Sequence, residues 1–301
     1  MSVLALLWGS GFLWIKLALD GGLSPLHITV IRCVLGAGVL LLLARSGGQR
    51  LPRDRRTWGH LVVAAFFCNA LPFFLFGIGE QSVDSGVAGV LNATTPLWSL
   101  AIGAALGTER GIRPVRLAGL LLGFAGTVLI FAPWQRGGLT GWGVSALLAA
   151  AVSYAVAFAY MARHLIGRRT APLALSAAQL LAATGLTTLA LPAGSTTPSA
   201  PTLTAVAAVV VLGVFGTGVT FHLNSRLIAD EGPTTAASVG YLLPVVSVAL
   251  GAMVLDERVG PRVIAGMALV LVGVGLTRSP TSGLARSGAA APLRSSGSST
   301  G

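Results

Sequence analysis

The sequence predicts an all-α polytopic membrane protein, with ten transmembrane helices built as two inverted five-helix repeats around a central cavity. Three observations predict it. First, 54% of the 301 residues are apolar and only 10% are charged, against roughly 25% charge in a soluble domain, and the mean hydropathy is +0.82. So few charges cannot cover a water-facing surface. Second, the apolar residues gather into runs of about the 20 residues needed to cross the hydrocarbon. Third, one phrase occurs twice. Residues 96–110 (PLWSLAIGAALGTER) and 244–258 (PVVSVALGAMVLDER) agree at Pro96/Pro244, Ser99/Ser247, Ala101/Ala249, Gly103/Gly251, Ala104/Ala252, Glu109/Glu257 and Arg110/Arg258.

The ten runs are 2–20, 26–44, 59–79, 84–106, 115–133, 141–162, 172–192, 203–224, 233–255 and 261–278. The first lacks a basic leader and a small-residue cleavage site and is interrupted by Lys16, so it reads as a retained span, not a signal peptide; the natural start is expected a little upstream. The second carries Arg32 and Cys33, the third Cys68 and Asn69. Both cysteines read as small core residues, not as a disulfide or metal site. The fourth begins SGVAG and the fifth contains GLLLG, small-residue runs that allow close helix approach. The sixth holds Tyr154 and Tyr160, the seventh Gln179, the eighth His222 and Asn224, and the ninth Tyr241. Trp58, Trp134 and Trp142 flank spans as interface anchors. The tail 279–301, rich in Ser, Gly and Ala, is expected to be disordered.

The net charge of +11 comes from basic residues in the short gaps between runs. That pattern reads as topology control and not as a nucleic-acid surface. With the N-terminus inside, fifteen arginines fall on the inner side and three (Arg136, Arg258, Arg262) on the outer side. The positive-inside rule then places both termini in the cytoplasm of a multi-pass inner-membrane protein.

The duplication continues through Pro114/Pro261, Gly119/Gly266 and Gly126/Gly273, giving repeat units 1–133 and 141–278. Five crossings is an odd number, so the second copy inserts upside down. Inverted repeats of this kind are a signature of secondary transporters. A state open to one side then has a symmetry-related state open to the other at nearly equal energy.

WGSGFLWIK (8–16), Arg32 early in the second span, and the paired P…LGTER and P…LDER endings together make the chain resemble the drug/metabolite transporter superfamily, EamA-type branch, over nearly its whole length. The resemblance implies a basket of ten helices around a central cavity. It also implies transport of an amino acid, metabolite or drug-like compound, more often by export than import.

The residues expected at the substrate are Trp8, Lys16, Arg32, Asn69, Asn92, Thr95, Tyr154, Gln179, His222, Asn224 and Tyr241, with Pro96 and Pro244 as helix-breaking hinges. Each proline lacks an N–H and so frees the carbonyl four residues earlier, Asn92 or Gly240; in lipid that group must face protein, water or ligand. Buried polar side chains on spans either bridge helices or line a cavity. Asn92, Gln179 and Tyr241 are the deepest. Lys16 and Arg32 either snorkel to the interface or hold an anionic group. Trp8, Trp14, Phe73, Phe74 and Trp98 could stack on a substrate.

All nine carboxylates are expected at span ends or in loops, so a coupling proton would have to use Glu80 or His222. No GxxxxGK[ST], HExxH or CxxC pattern occurs, and neither an enzyme, a cofactor nor a metal is expected. The alternatives are a flippase for a lipid-linked substrate and an interfacial membrane enzyme built on Glu109/Arg110 or Glu257/Arg258.

Overall fold

A computed structural model of the chain describes residues 2–83, 85–107, 114–132, 141–165, 171–193, 201–246 and 260–277, and all regular structure among them is helical. The Glu109–Arg110 and Glu257–Arg258 pairs, Trp134, the second part of the ninth run and the 279–301 tail lie outside the described residues.

The first run is two helices, α1 (Ser2–Gly9) and α2 (Gly11–Asp20), parted at Ser10. The second is α3 (Pro25–Ser46). In the third, α4 (Arg55–Ala65) and α5 (Leu71–Ser82) are joined by a π turn over Phe66–Ala70. The fourth is broken into α6 (Ser85–Asn92) and α7 (Thr95–Ala105). Then come α8 (Pro114–Phe131), α9 (Trp142–His164) and α10 (Pro172–Leu189). The eighth run repeats the design of the third, with α11 (Leu203–Gly213) and α12 (Thr220–Glu231) joined by a π turn over Val214–Val219. The ninth opens with α13 (Pro233–Ala237) and a 3-10 turn over Ser238–Tyr241, and the last is α14 (Pro261–Thr277). Among the described residues, seven helical stretches are long and apolar enough to cross a membrane. The other three expected crossings are the broken α6–α7, the ninth run and the 17-residue α14.

The helix ends follow local chemistry. Ser24 accepts from the N–H of His27 at the start of α3, Asp54 from that of Thr57 at α4, and Thr202 from that of Ala205 at α11, each satisfying an amide with no partner inside its helix. Pro25 and Pro172 occupy first-turn positions, where a missing N–H costs nothing. Trp58 donates from Nε1 to the carbonyl of Pro52 at 2.8 Å, tying the loop before α4 to the helix.

The main packing partners come from opposite ends of the chain: α3 on α10, α5 on α9, α2 on α11, and α8 on α14. Exchanging the first five runs for the last five maps this set of pairs onto itself. The α8–α14 contact shows how closely the helices approach. A Cβ on Gly119 would lie 2.7 Å from the carbonyl oxygen of Gly273, and one on Gly126 would lie 2.6 Å from that of Gly266. The early glycine of α8 thus meets the late glycine of α14, and the late one meets the early one, so the two helices run antiparallel. Lipid tails are as apolar as side chains, so this backbone proximity is itself what holds the pair.

Gly273→Ala, whose new Cβ would stand 2.5 Å from the amide nitrogen of Gly123, is expected to destabilise the protein by about 1–3 kcal/mol, the usual cost of overpacking. Gly275→Ala on the same helix meets nothing within 4 Å and should leave the melting temperature in detergent unchanged. Equal melting temperatures for the two variants would show that the close approach is not a constraint.

Candidate functional site

The central cavity is walled by both ends of the chain. Trp8, Gly11 and Ile15 come from the first run, Arg32 from α3, Phe76 from α5, and Asn92 and Thr95 from the break between α6 and α7. Tyr154 and Phe158 come from α9, and Ala237, Gly240 and Leu243 from the broken ninth run. The cavity offers about 50 Å³ to the centres of water molecules, room for a handful of waters, and about 590 Å³ when the space open to solvent is counted. In this conformation the interior is narrow.

The repeat register governs which residues face the cavity. Asn92 and Gly240 lie 148 apart, as do Thr95 and Leu243, and all four line it. Their neighbours Ala93 and Tyr241, also 148 apart, turn away together into one apolar cluster with Leu120, Ile130, Val270 and Val274. Tyr241 was expected at the substrate; it is wholly buried, with its ring against Gly123 and its hydroxyl unpartnered among the described residues. The expectation placed it one residue off the cavity face.

The prolines do break their spans, and the breaks heal differently. Before Pro96 the Thr94 hydroxyl donates to the carbonyl of Leu91 at 2.6 Å, and that of Thr95 reaches Asn92 Oδ1 at 3.5 Å. Before Pro244 the backbone tightens into the 3-10 turn, which the N–H of Leu242 closes onto the carbonyl of Val239.

Arg32 does not snorkel. Its side chain is 5% exposed, its guanidinium lies over the Phe73 ring at 3.6 Å, and Nε donates to Thr217 Oγ1 at 3.0 Å. Thr217 sits in the second π turn, where its hydroxyl also donates five residues back, to the carbonyl of Leu212. The close approach of α3 to this turn needs small residues: a Cβ on Gly36 would stand 3.0 Å from the Thr217 side chain, and one on Gly213 would stand 2.7 Å from Leu35. Beside Arg32 the aromatic wall is continuous, with Tyr154 edge-on to Trp8 at 6.4 Å and tilted against Phe76 and Phe158 at 6.1 Å each.

The other expected residues lie elsewhere. Gln179 donates from Nε2 to Asn69 Oδ1 at 2.9 Å, and both are buried between α10 and the first π turn. This is a helix bridge, away from the cavity lining. Lys16 is exposed and pairs with Asp20 at 3.6 Å. Asn224 is fully buried with its amide unpartnered among the described residues, and His222 is half-buried; neither lines the cavity. Tyr160 shares a hydrogen bond with His60 at 2.7 Å and stacks on His164. Of the five aromatics expected to stack on a substrate, Trp8 faces the cavity; Phe73 supports Arg32, while Phe74 and Trp98 are exposed. Sequence reasoning missed Gly11, Ile15, Phe76, Phe158, Ala237, Gly240 and Leu243. The 148-residue offset from Asn92 and Thr95 could have found Gly240 and Leu243. Glu80, expected at a span end, is 1% exposed and acts electrostatically on Arg32.

Comparison with known proteins agrees with this architecture. A chain in a solved crystal structure superposes with a TM-score of 0.74 over 92% of this chain and 94% of its own, at 23% identity; that likeness bears on the fold alone. The chain is similar to the "Uncharacterized inner membrane transporter YedA" of Escherichia coli K12, at 29% identity over 82% of this chain and 79% of that one. It is also similar to a "Probable terminal-alkyne amino-acid exporter" of Streptantibioticus cattleyicolor, at 28% identity over 93% and 92%. The model of the EamA-like transporter family matches residues 1–132 and again 141–279. The helical architecture, the membrane-crossing stretches and this double match together make the chain a multi-pass membrane protein of the EamA-like transporter family.

Proposed function

We propose that the protein is a secondary transporter that exports a small organic solute, an amino acid, metabolite or drug-like compound, by alternating access of two inverted repeats, residues 1–133 and 141–278. The observation that carries this reading is the pairing of Asn92 with Gly240 and of Thr95 with Leu243: repeat-equivalent positions on two broken spans face one cavity. Broken helices at a shared site are how membrane carriers present backbone and polar groups to a solute. The antiparallel glycine contact of α8 with α14 supports the inverted relation, and the name of the Streptantibioticus relative supports export of an amino-acid-like solute. Both termini are placed in the cytoplasm, and a coupling proton, if the cycle uses one, has a buried carboxylate available in Glu80.

Transport by purified protein in proteoliposomes tests the site. Trp8→Ala and Asn92→Ala should raise KM or lower the rate roughly tenfold, the loss of about 1.4 kcal/mol of solute interaction. Gln179→Leu should instead lower stability by about 0.6–1.7 kcal/mol, the range for a hydrogen bond between membrane helices, with KM unchanged. Wild-type kinetics in both cavity variants would sink the assignment.

Orientation has its own test, because Cys33 and Cys68 are both buried and can be replaced by alanine to give a background without thiols. Leu189→Cys, at a position 81% exposed, should react with a membrane-impermeant maleimide on intact cells. Ser46→Cys should react only after permeabilisation. The reverse pattern would invert the topology.

A further inference from the structure

The two π turns are held by matching polar bridges, one neutral and one charged. On the neutral side Gln179 of α10 donates to Asn69 of the first turn at 2.9 Å. On the charged side Arg32 of α3 donates to Thr217 of the second turn at 3.0 Å. The acceptors lie 148 residues apart and the donors 147, so these are repeat-related versions of one contact. Gln179, together with Ser153 of α9, which donates to the carbonyl of Phe67 at 2.6 Å, shows that neutral groups are enough to hold such a turn. A guanidinium is therefore more than the contact needs, and burying it carries a desolvation cost that a glutamine avoids.

The surplus faces the cavity. Among the described residues, Arg32 is the one charged residue lining it. Its direct contacts, the Thr217 hydroxyl and the Phe73 face, are neutral and leave its terminal amino groups uncommitted. Glu80, also buried, acts on it through space. The neutral bridge, by contrast, lies off the cavity lining.

We infer that Arg32 is the recognition site for a carboxylate on the transported solute. This rests on the proposed transport reading and narrows its substrate to monocarboxylates, amino acids included, whose apolar or aromatic body lies against Trp8, Phe76 and Tyr154. The planar fork suits two parallel N–H···O bonds to one carboxylate. The cation over Phe73 and the bond from Nε fix the fork before the solute arrives, so little ordering is left to do on binding.

The test measures binding to purified protein in lipid nanodiscs, read as ligand-induced thermal stabilisation and as quenching of tryptophan fluorescence. The probes are two matched pairs, L-phenylalanine with L-phenylalaninamide and benzoate with benzamide. The wild type is expected to bind each carboxylate roughly tenfold to a hundredfold more tightly than its amide, as befits a charge-assisted bond. Arg32→Gln copies the bridge the chain already uses at Gln179. It should melt near the wild-type temperature without ligand and lose the discrimination. Arg32→Lys keeps the charge without the fork and should keep only part of it.

Equal binding of acids and amides, no binding of either acid, or full discrimination in a folded Arg32→Gln protein would each overturn the inference. Transport of a neutral solute that depends on Trp8 and Asn92 but not on Arg32 would remove the carboxylate site and leave the carrier standing. Absence of any transport in proteoliposomes would remove the carrier itself.

Discussion

The structure depends on how two helices are allowed to depart from α geometry in the middle of a membrane. A π turn shifts the backbone hydrogen-bond register, and no water is present to take up what is left over. Each turn is therefore pinned from across the molecule, the first by Gln179 onto Asn69 and Ser153 onto the carbonyl of Phe67, the second by Arg32 onto Thr217. The helices that supply the pins, α3 and α10, also pack on each other, so both turns are referred to a single central pair. Small residues make this possible, since side chains at Gly36 or Gly213 would push α3 away from the second turn.

From that centre the helices pair across the two ends of the chain, and neither end packs chiefly on itself. This has a mechanical consequence. Where α8 meets α14, backbone lies on backbone through Gly119, Gly123, Gly126, Gly266 and Gly273, with Ile130, Val270 and Leu276 packed tightly beside them. Where the fourth and ninth runs meet the cavity, the helices are interrupted before Pro96 and Pro244. Stiffness and freedom are thus separated in space. The glycine contact can act as a pivot, while the interrupted helices absorb changes in backbone angle.

The sequence shows the larger features plainly because they follow from composition and spacing. Ends of spans, the duplication and both broken helices could be read from apolar runs, matched letters and prolines. What could not be read was rotation about a helix axis. Polarity alone nominated Tyr241, yet it is Gly240 and Leu243 that face the cavity, and Tyr241 turns aside with its counterpart Ala93. The π turns were equally hidden, since FFCNA and VFGTG carry no proline to announce them. Burial of Arg32 could not be told from snorkelling because the distinction lies in Phe73 and Thr217, the latter 185 residues away. Lys16, chemically similar and near the same membrane face in the expected topology, went the other way: its neighbour at i+4 is Asp20, and the pair stays in solvent.

The departure from symmetry is where a function can reside. If the two repeats were identical, both pins would be neutral or both charged, and the cavity would present the same chemistry from each wall. Instead one pin is sealed and the other faces the opening. The first run is split at Ser10 and supplies Trp8, Gly11 and Ile15, while its counterpart α9 runs unbroken and supplies Tyr154 and Phe158. On the proposed alternating-access reading, near-symmetry in packing is what would keep two conformations close in energy. On the same reading, asymmetry in the lining would let a solute bind in one defined pose, with its charged end at Arg32 and its apolar end on the aromatic wall. A carrier needs both properties, and this chain has them on different residues: glycines set the first, and a single arginine with its neighbouring rings sets the second.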